Sequence, residues 1–130
     1  MSLYNNIQSC YGKEAYVSIL NVRKFRHCFA QFRTGVHGLE IERGRYNNTP
    51  RYDRVCKMCS LNEVEDEMHF ILVCPVYADL RLLYIPRKYV IGKTIQKLYI
   101  LLANQNEKCI QNVASYLYHA MLRRKTLADV

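Results

Sequence analysis

The feature that most constrains this chain is a set of four soft-metal donors, Cys56, Cys59, His69 and Cys74, spaced C-x2-C-x9-H-x4-C. Two thiols separated by two residues can hold one ion from a tight turn. Lys57 and Met58 complete a knuckle whose amides can face the sulfurs, and a second pair of donors then completes a tetrahedron. The second pair poses a geometric problem, because on an unbroken α-helix positions five apart point about 140° from each other and cannot share an ion. Pro75 resolves it. The residue before a proline is pushed out of the α region, so the helix carrying His69 must end near Val73 and Cys74 can swing back. Asn62 with Glu65 three residues later reads as a capping box that opens this helix, and Pro75 is free to open the next one. Four protein ligands leave no coordination position for water, so the pattern predicts one structural Zn²⁺ rather than a catalytic one. The competing reading is three buried cysteines and a core histidine that lie close by chance. With three thiolates and an imidazole on the ion, and Glu63, Glu65, Asp66 and Glu67 around it, the knuckle should be anionic and should not itself grip phosphates.

The rest of the chain must supply any attraction for a polyanion. Nineteen Lys and Arg against eleven Asp and Glu give +8 over 130 residues, a balance that points first to nucleic acid. The charge is uneven: residues 1–34 carry +4, residues 35–55 +1, residues 56–80 −4 and residues 81–130 +7. Phosphate contacts are therefore expected on the flanks of the knuckle. The apolar runs, such as Phe70 to Val73 and Tyr99 to Ala103, fall far short of the roughly 18 to 20 residues of a bilayer span. No secretion-type sequence opens the chain, which predicts an intracellular protein of nucleus or cytoplasm without a membrane partner. In that setting six cysteines read as metal ligands and buried thiols rather than as disulfides.

The expected fold is mainly α: one domain over residues 1–130, with a loose lead-in (1–20), a helix and basic loop (21–55), the zinc knuckle (56–75) and C-terminal helices (76–130). Glu14 to Leu20 leans towards helix. Val22, Phe25, Cys28 or Phe29 and Phe32 recur at helical spacing, with Asn21 as N-cap and Gly35 as stop. Residues 36–55 show no sustained period and many turn formers, so they predict an irregular loop rich in Arg43, Arg45, Tyr46, Arg51, Tyr52 and Arg54. Val76, Leu80, Leu83 and Tyr84 predict a short helix closed by Pro86. Ile95, Leu98, Tyr99 and Leu102 predict another capped by Thr94. Ile110, Val113, Ala114, Leu117, Ala120 and Met121 share one face of the last helix, against Lys108, Asn112, Ser115, His119 and Arg123 on the other. The last two helices form an antiparallel pair joined near 104–106. Cys28 and Cys109 read as buried thiols, and Cys10 carries no reading. His27 and His119 read as solvated, and His37 as a turn-capping residue in preference to a ligand contact.

Several segments together resemble a known family. These are Lys24-Phe25-Arg26, the run from Phe32-Arg33-Thr34-Gly35 through His37, Leu39, Ile41-Glu42 and Gly44-Arg45, then Arg54-x-Cys56-x2-Cys59, Glu65-Asp66-Glu67-x-His69-Phe70 and Cys74-Pro75-x-Tyr77-x3-Arg81. They look like the cysteine-rich segment that follows the polymerase domain of non-LTR retrotransposon reverse transcriptases. The likeness is dense over residues 20–85 and loose beyond. It implies a non-catalytic CCHC zinc module that helps hold template RNA or target DNA, with Cys56, Cys59, His69 and Cys74 as ligands, whether as a stand-alone remnant or gene product of the element's C-terminal end or as a piece of it. No F/Y-x-D-D polymerase box and no endonuclease carboxylate cluster is present, so the chain is not expected to be an enzyme or to have a small-molecule substrate.

Two readings of function follow. In the first, Arg33, Arg43, Arg45, Arg51 and Arg54 meet phosphates while Tyr46 and Tyr52 stack on unpaired bases of RNA or DNA. In the second, the domain is a protein-interaction or architectural zinc module and the arginines are a solvated surface.

Overall fold

Helix α1 (Arg23–Thr34) forms where the apolar period places it, and it buries Cys28, Phe29 and Phe32. It stops at Gly35, whose φ of 77° is a left-handed conformation that glycine adopts without a Cβ clash. The Val36 N–H then reaches back to the Gln31 carbonyl at 2.9 Å, closing the last turn as a Schellman motif does. The computed structural model describes Leu20 and residues 22–128. The lead-in, the 14–20 segment apart from Leu20, Cys10 and the expected cap Asn21 lie outside the described residues. Val22 occupies the N-cap position without a side-chain cap.

Residues 36–55 are not an irregular loop throughout. They contain α2 (Glu40–Tyr46) and a 3₁₀ turn (Arg51–Asp53). The helix was hidden because its first N–H groups are satisfied from a distance. Glu40 N–H donates to Glu65 Oε1 at 2.8 Å and Ile41 N–H to the Glu65 carbonyl at 3.0 Å. Locally, Glu42 reaches back to accept from the Gly38 N–H at 2.9 Å, and His37 Nδ1 accepts from the Leu39 N–H at 3.2 Å. A helix capped across 25 residues of chain leaves no local signature.

Gly44 of α2 faces the stem of Arg54, and a Cβ there would overlap Arg54 Cγ and Cδ. Arg54 cannot retreat cheaply, because it donates to the carbonyls of Thr49 (2.9 Å) and Ile41 (3.0 Å). Gly44→Ala is therefore expected to destabilise the domain by about 1–3 kcal/mol, against the stabilisation of up to about 1 kcal/mol that alanine brings to a helix interior. Urea denaturation gives the sign. A variant as stable as the parent would mean that Arg54 shifts freely.

After the knuckle come a 3₁₀ turn (Pro75–Tyr77), α3 (Ala78–Tyr84), the additional short α4 (Arg87–Val90), α5 (Ile95–Leu102) and α6 (Glu107–Ala128). The 76–84 helix exists and ends before Pro86, and Val76, Leu80 and Tyr84 pack partly buried against the core as expected, but Leu83 does not. Leu83 is 72% exposed, while Tyr77 and Arg81 are buried. α5 begins where expected, with Thr94 accepting from the Lys97 N–H at 3.2 Å. α6 follows after residues 103–106 and packs mainly on α1, then on α3, and less on α5. Its inner face holds the predicted Ile110, Val113, Ala114, Leu117 and Ala120, together with Tyr116 and Arg124. Of the residues placed on its polar face, His119 stacks with Tyr84 and Arg123 grips Asp79 through two hydrogen bonds of 2.7 and 2.9 Å.

Phe70, beside His69, joins these elements. Its ring lies 5.3 Å from Phe32 of α1, 4.8 Å from Tyr77 and 6.2 Å from Tyr116 of α6, spacings typical of interacting aromatic pairs. The chain between the candidate ligands is thus the middle of the core. Among the described residues there is no strand beyond a single Val55–Val64 bridge, and no helix is long and apolar enough to cross a membrane.

Candidate metal centre

The knuckle is closed at its base by that bridge. Cys56 N–H donates to the Glu63 carbonyl and Glu65 N–H to the Arg54 carbonyl, both at 2.9 Å. The chain turns over between them through Asn62, at φ 59°, a left-handed conformation that asparagine tolerates better than most residues. Asn62 and Glu65 do not form a capping box. The cap is Asp66, whose Oδ1 accepts from the His69 N–H at 2.9 Å, and Glu65 is withdrawn into the core.

The geometric problem of the second pair is solved by more than Pro75. Residues His69–Val73 form a π-helical turn, and the Cys74 N–H donates to the His69 carbonyl at 2.7 Å. This i→i+5 closure brings the fifth residue back over the first, where an α-turn would carry it away; such turns are rare and often accompany functional sites. Cys74 then leaves the helix at φ −58°, ψ 123°, as a residue before proline should. Arg81, buried in α3, secures the exit by donating to the carbonyls of Ile71 and Cys74, each at 2.8 Å. The Tyr116 hydroxyl donates to the Phe70 carbonyl at 2.6 Å. These bonds satisfy carbonyls that a terminating helix leaves open.

The donor atoms of Cys56, Cys59, His69 and Cys74 all lie within 4.8 Å of one another, close enough to hold one metal ion. Cys59 Sγ and His69 Nε2 are 3.4 Å apart, near the edge of about 3.5–3.8 Å expected of a tetrahedron with bonds of 2.0–2.3 Å. His69 Nδ1 is buried without a hydrogen bond and lies 3.7 Å from a Glu63 oxygen. Ligation through Nε2 would leave the Nδ1 proton directed at that carboxylate, the outer-sphere arrangement that orients ligating histidines.

The electrostatics agree with such a donor set. Hydrogen bonding from Cys74 holds the Cys56 thiol well below the ordinary range, and the same bond pushes Cys74 up. For Cys59, burial is the leading cause of an upward shift. Burial lowers His69, but the hydrogen bond and charge of Cys56, with Glu63 and Asp66, outweigh it and the net shift is upward. One thiolate thus resists the ionisation of its neighbours, and a divalent cation is what permits all three to ionise together.

The sequence marks Glu65 only as a helix-capping acid and a contributor of negative charge. It is fully buried, receives Arg124 of α6 through two bonds of 2.9 and 2.8 Å, and caps α2. Its Oε2 lies 3.9 Å from Cys56 Sγ. No local pattern announces this role, because Arg124 lies 59 residues away. Glu67 is also engaged, at 3.0 Å from His37 Nε2. His37 Nδ1 accepts from the Leu39 N–H at 3.2 Å, so His37 caps a turn as expected. Cys28 is buried, which pushes its thiol up to about 11, and Cys109 is half-buried.

The seven residues expected to meet nucleic acid divide into two groups. Arg33 is buried and donates to the Leu102 carbonyl at 2.8 Å, so its guanidinium is not presented to a phosphate, whereas Arg54 is half-buried with Nε and Nη1 engaged by the Thr49 and Ile41 carbonyls. Arg43, Arg45, Tyr46, Arg51 and Tyr52 are exposed on α2 and the adjoining 3₁₀ turn, with the two rings 71% and 75% exposed. Arg45 lies over the Tyr46 ring at 5.7 Å and Arg51 pairs with Asp66 at 3.3 Å. Compared with protein-family models, curated proteins and solved structures, the chain matches none.

Proposed function

We propose that this chain is a non-catalytic zinc module that holds nucleic acid, in the manner of the cysteine-rich segment of non-LTR retrotransposon reverse transcriptases that residues 20–85 resemble. The metal is zinc, because three thiolates and one imidazole in a closed four-donor set suit that ion, and its role is to fix the base of α2. The observation that carries the reading is the ledge of Arg43, Arg45, Tyr46, Arg51 and Tyr52. It combines cations for phosphates with exposed rings for unpaired bases, on a helix whose start is anchored to Glu65 beside the metal donors.

The test is an anisotropy titration of a single-stranded oligonucleotide at several salt concentrations. Replacing Arg43, Arg45 and Arg51 together by Gln is expected to flatten the slope of log K against log salt by about 2, because each lost contact to a single strand releases about 0.7 counterion fewer. Tyr46→Ala with Tyr52→Ala should weaken binding to unpaired strands more than to duplex and leave the slope nearly unchanged. Affinity that ignores both salt and the arginine changes would favour the second reading, a protein-interaction domain. Leu82 and Leu83 of α3, 80% and 72% exposed, give that reading its own surface.

A further inference from the structure

A second surface with lysines and apolar side chains lies along α1 and α6. Between α1 and α6 runs a groove of ≈ 490 Å³, within the range of about 300–1,000 Å³ usual for small-ligand clefts. Tyr118, Met121 and Leu122 give it apolar walls, while Lys24, His27 and Lys125 stand at its rim. Among the described residues no Asp or Glu lines it. Arg124 also borders the groove, but its guanidinium is turned inward to Glu65. Lys24 holds its ammonium 4.9 Å from the Tyr118 ring centre, a cation–π contact that fixes the charge at the mouth instead of leaving it on a free stem. Apolar walls with two lysines and no acid at the rim fit a ligand that is flat and apolar in one part and anionic beside it. A base flanked by its phosphates has that form.

We propose that this groove seats one unpaired base of a bound strand, with Lys24 and Lys125 on the adjoining phosphates. The inference rests on the nucleic-acid reading and adds a second contact region to it. The strand would run between the α1–α6 groove and the α2 ledge, whose chain enters through His37 and Gly38, residues that also line the groove.

The experiment uses the full, zinc-loaded chain and a fluorescein-labelled single-stranded oligouridylate carrying one 4-thiouridine. Irradiation is expected to cross-link the probe to the 118–125 stretch, located by mass spectrometry. Lys24→Gln with Lys125→Gln should weaken binding about tenfold near 0.1 M salt, as the loss of two phosphate contacts implies, and the corresponding pair of Arg substitutions should retain affinity. Circular dichroism melting of each variant separates lost binding from lost folding. An abasic oligomer of equal charge should bind about tenfold more weakly, because stacking of the base is absent. Cross-links confined to Tyr46 or Tyr52, with full affinity in the Lys24 and Lys125 variants, would overturn the groove and leave the nucleic-acid reading standing. Absence of salt-dependent binding to any oligonucleotide would overturn both.

Discussion

Glu65→Gln is expected to lower the stability of the domain by about 3–5 kcal/mol, the usual cost of removing one partner of a buried ion pair. Against a total of about 5–15 kcal/mol for an ordinary domain, this is enough to unfold much of the population at physiological temperature. The amide still accepts the Glu40 N–H, so what is lost is the charge that holds Arg124, whose two bonds to Glu65 measure 2.9 and 2.8 Å in the core. Arg124→Met should be comparably damaging, because it strands the carboxylate. The pair Glu65→Gln with Arg124→Met should recover a large part of the loss, since no buried charge then remains unpaired; a double-mutant cycle by urea denaturation measures the coupling. Arg124→Lys should fail to restore the parent's stability, as an ammonium cannot reproduce the bidentate fork. Additive effects of the two single substitutions would show that Glu65 acts only through α2 and Cys56.

The same residue marks where sequence reasoning reached its limit. The cluster of four donors that could hold a metal was legible because its constraints are local: two cysteines within one turn, a histidine and a cysteine five apart, and a proline where geometry requires a break. Helices α1, α5 and α6 were legible because their apolar residues repeat at helical spacing and because Gly35 and Thr94 mark one end each. α2 was not, because its start is satisfied by Glu65 and its inner face consists of Glu40, Glu42 and Gly44, which no hydrophobic pattern would select. The π-turn at His69–Val73 was hidden for a related reason. A period of 3.6 describes His69 and Phe70 well, and only the need to bring Cys74 back to the same ion forces the wider turn.

The charge count is a coarse guide to what the arginines do. The charge census treats every guanidinium as surface, yet Arg33, Arg54, Arg81, Arg123 and Arg124 all donate to backbone carbonyls or carboxylates within the fold. A planar five-donor group with a long apolar stem can satisfy several carbonyls at once where helices end inside a small core. The net charge of the chain is unaffected, but fewer of its cations are available to a polyanion than the count suggests. That is why the proposed contacts narrow to the ledge and to the rim of the α1–α6 groove.

Removal of the metal is expected to abolish the cooperative unfolding transition while leaving part of the helical signal. On local grounds alone, chelation would melt the knuckle and the His69 helix and leave part of the helical signal from the helices outside residues 54–75. The packing carries the consequence further, because Phe70, Ile71 and Leu72 of the π-turn are all at or below 1% exposure and Phe70 touches rings from α1, α6 and the 75–77 turn. For structural zinc sites the binding free energy, about 10–16 kcal/mol in small peptides, is folding free energy, which matches or exceeds the whole stability of a typical domain. Without the ion the four donors no longer share a partner, and the π-turn is held only by its own Cys74–His69 closure and by the bonds from Arg81 and Tyr116. The aromatic cluster then loses its fixed centre. The 22-residue α6 and the 12-residue α1 keep amphipathic faces that can still associate loosely, so far-UV circular dichroism should fall only in part. The near-UV tyrosine signal should disappear, the pattern of a collapsed chain without fixed packing. Cys56→Ser should reproduce this in the presence of zinc, and elemental analysis should find less than one equivalent bound. A chelated protein that still melts in one sharp transition within a few degrees of the loaded form would show that Phe32, Phe70, Tyr77 and Tyr116 hold the core by themselves.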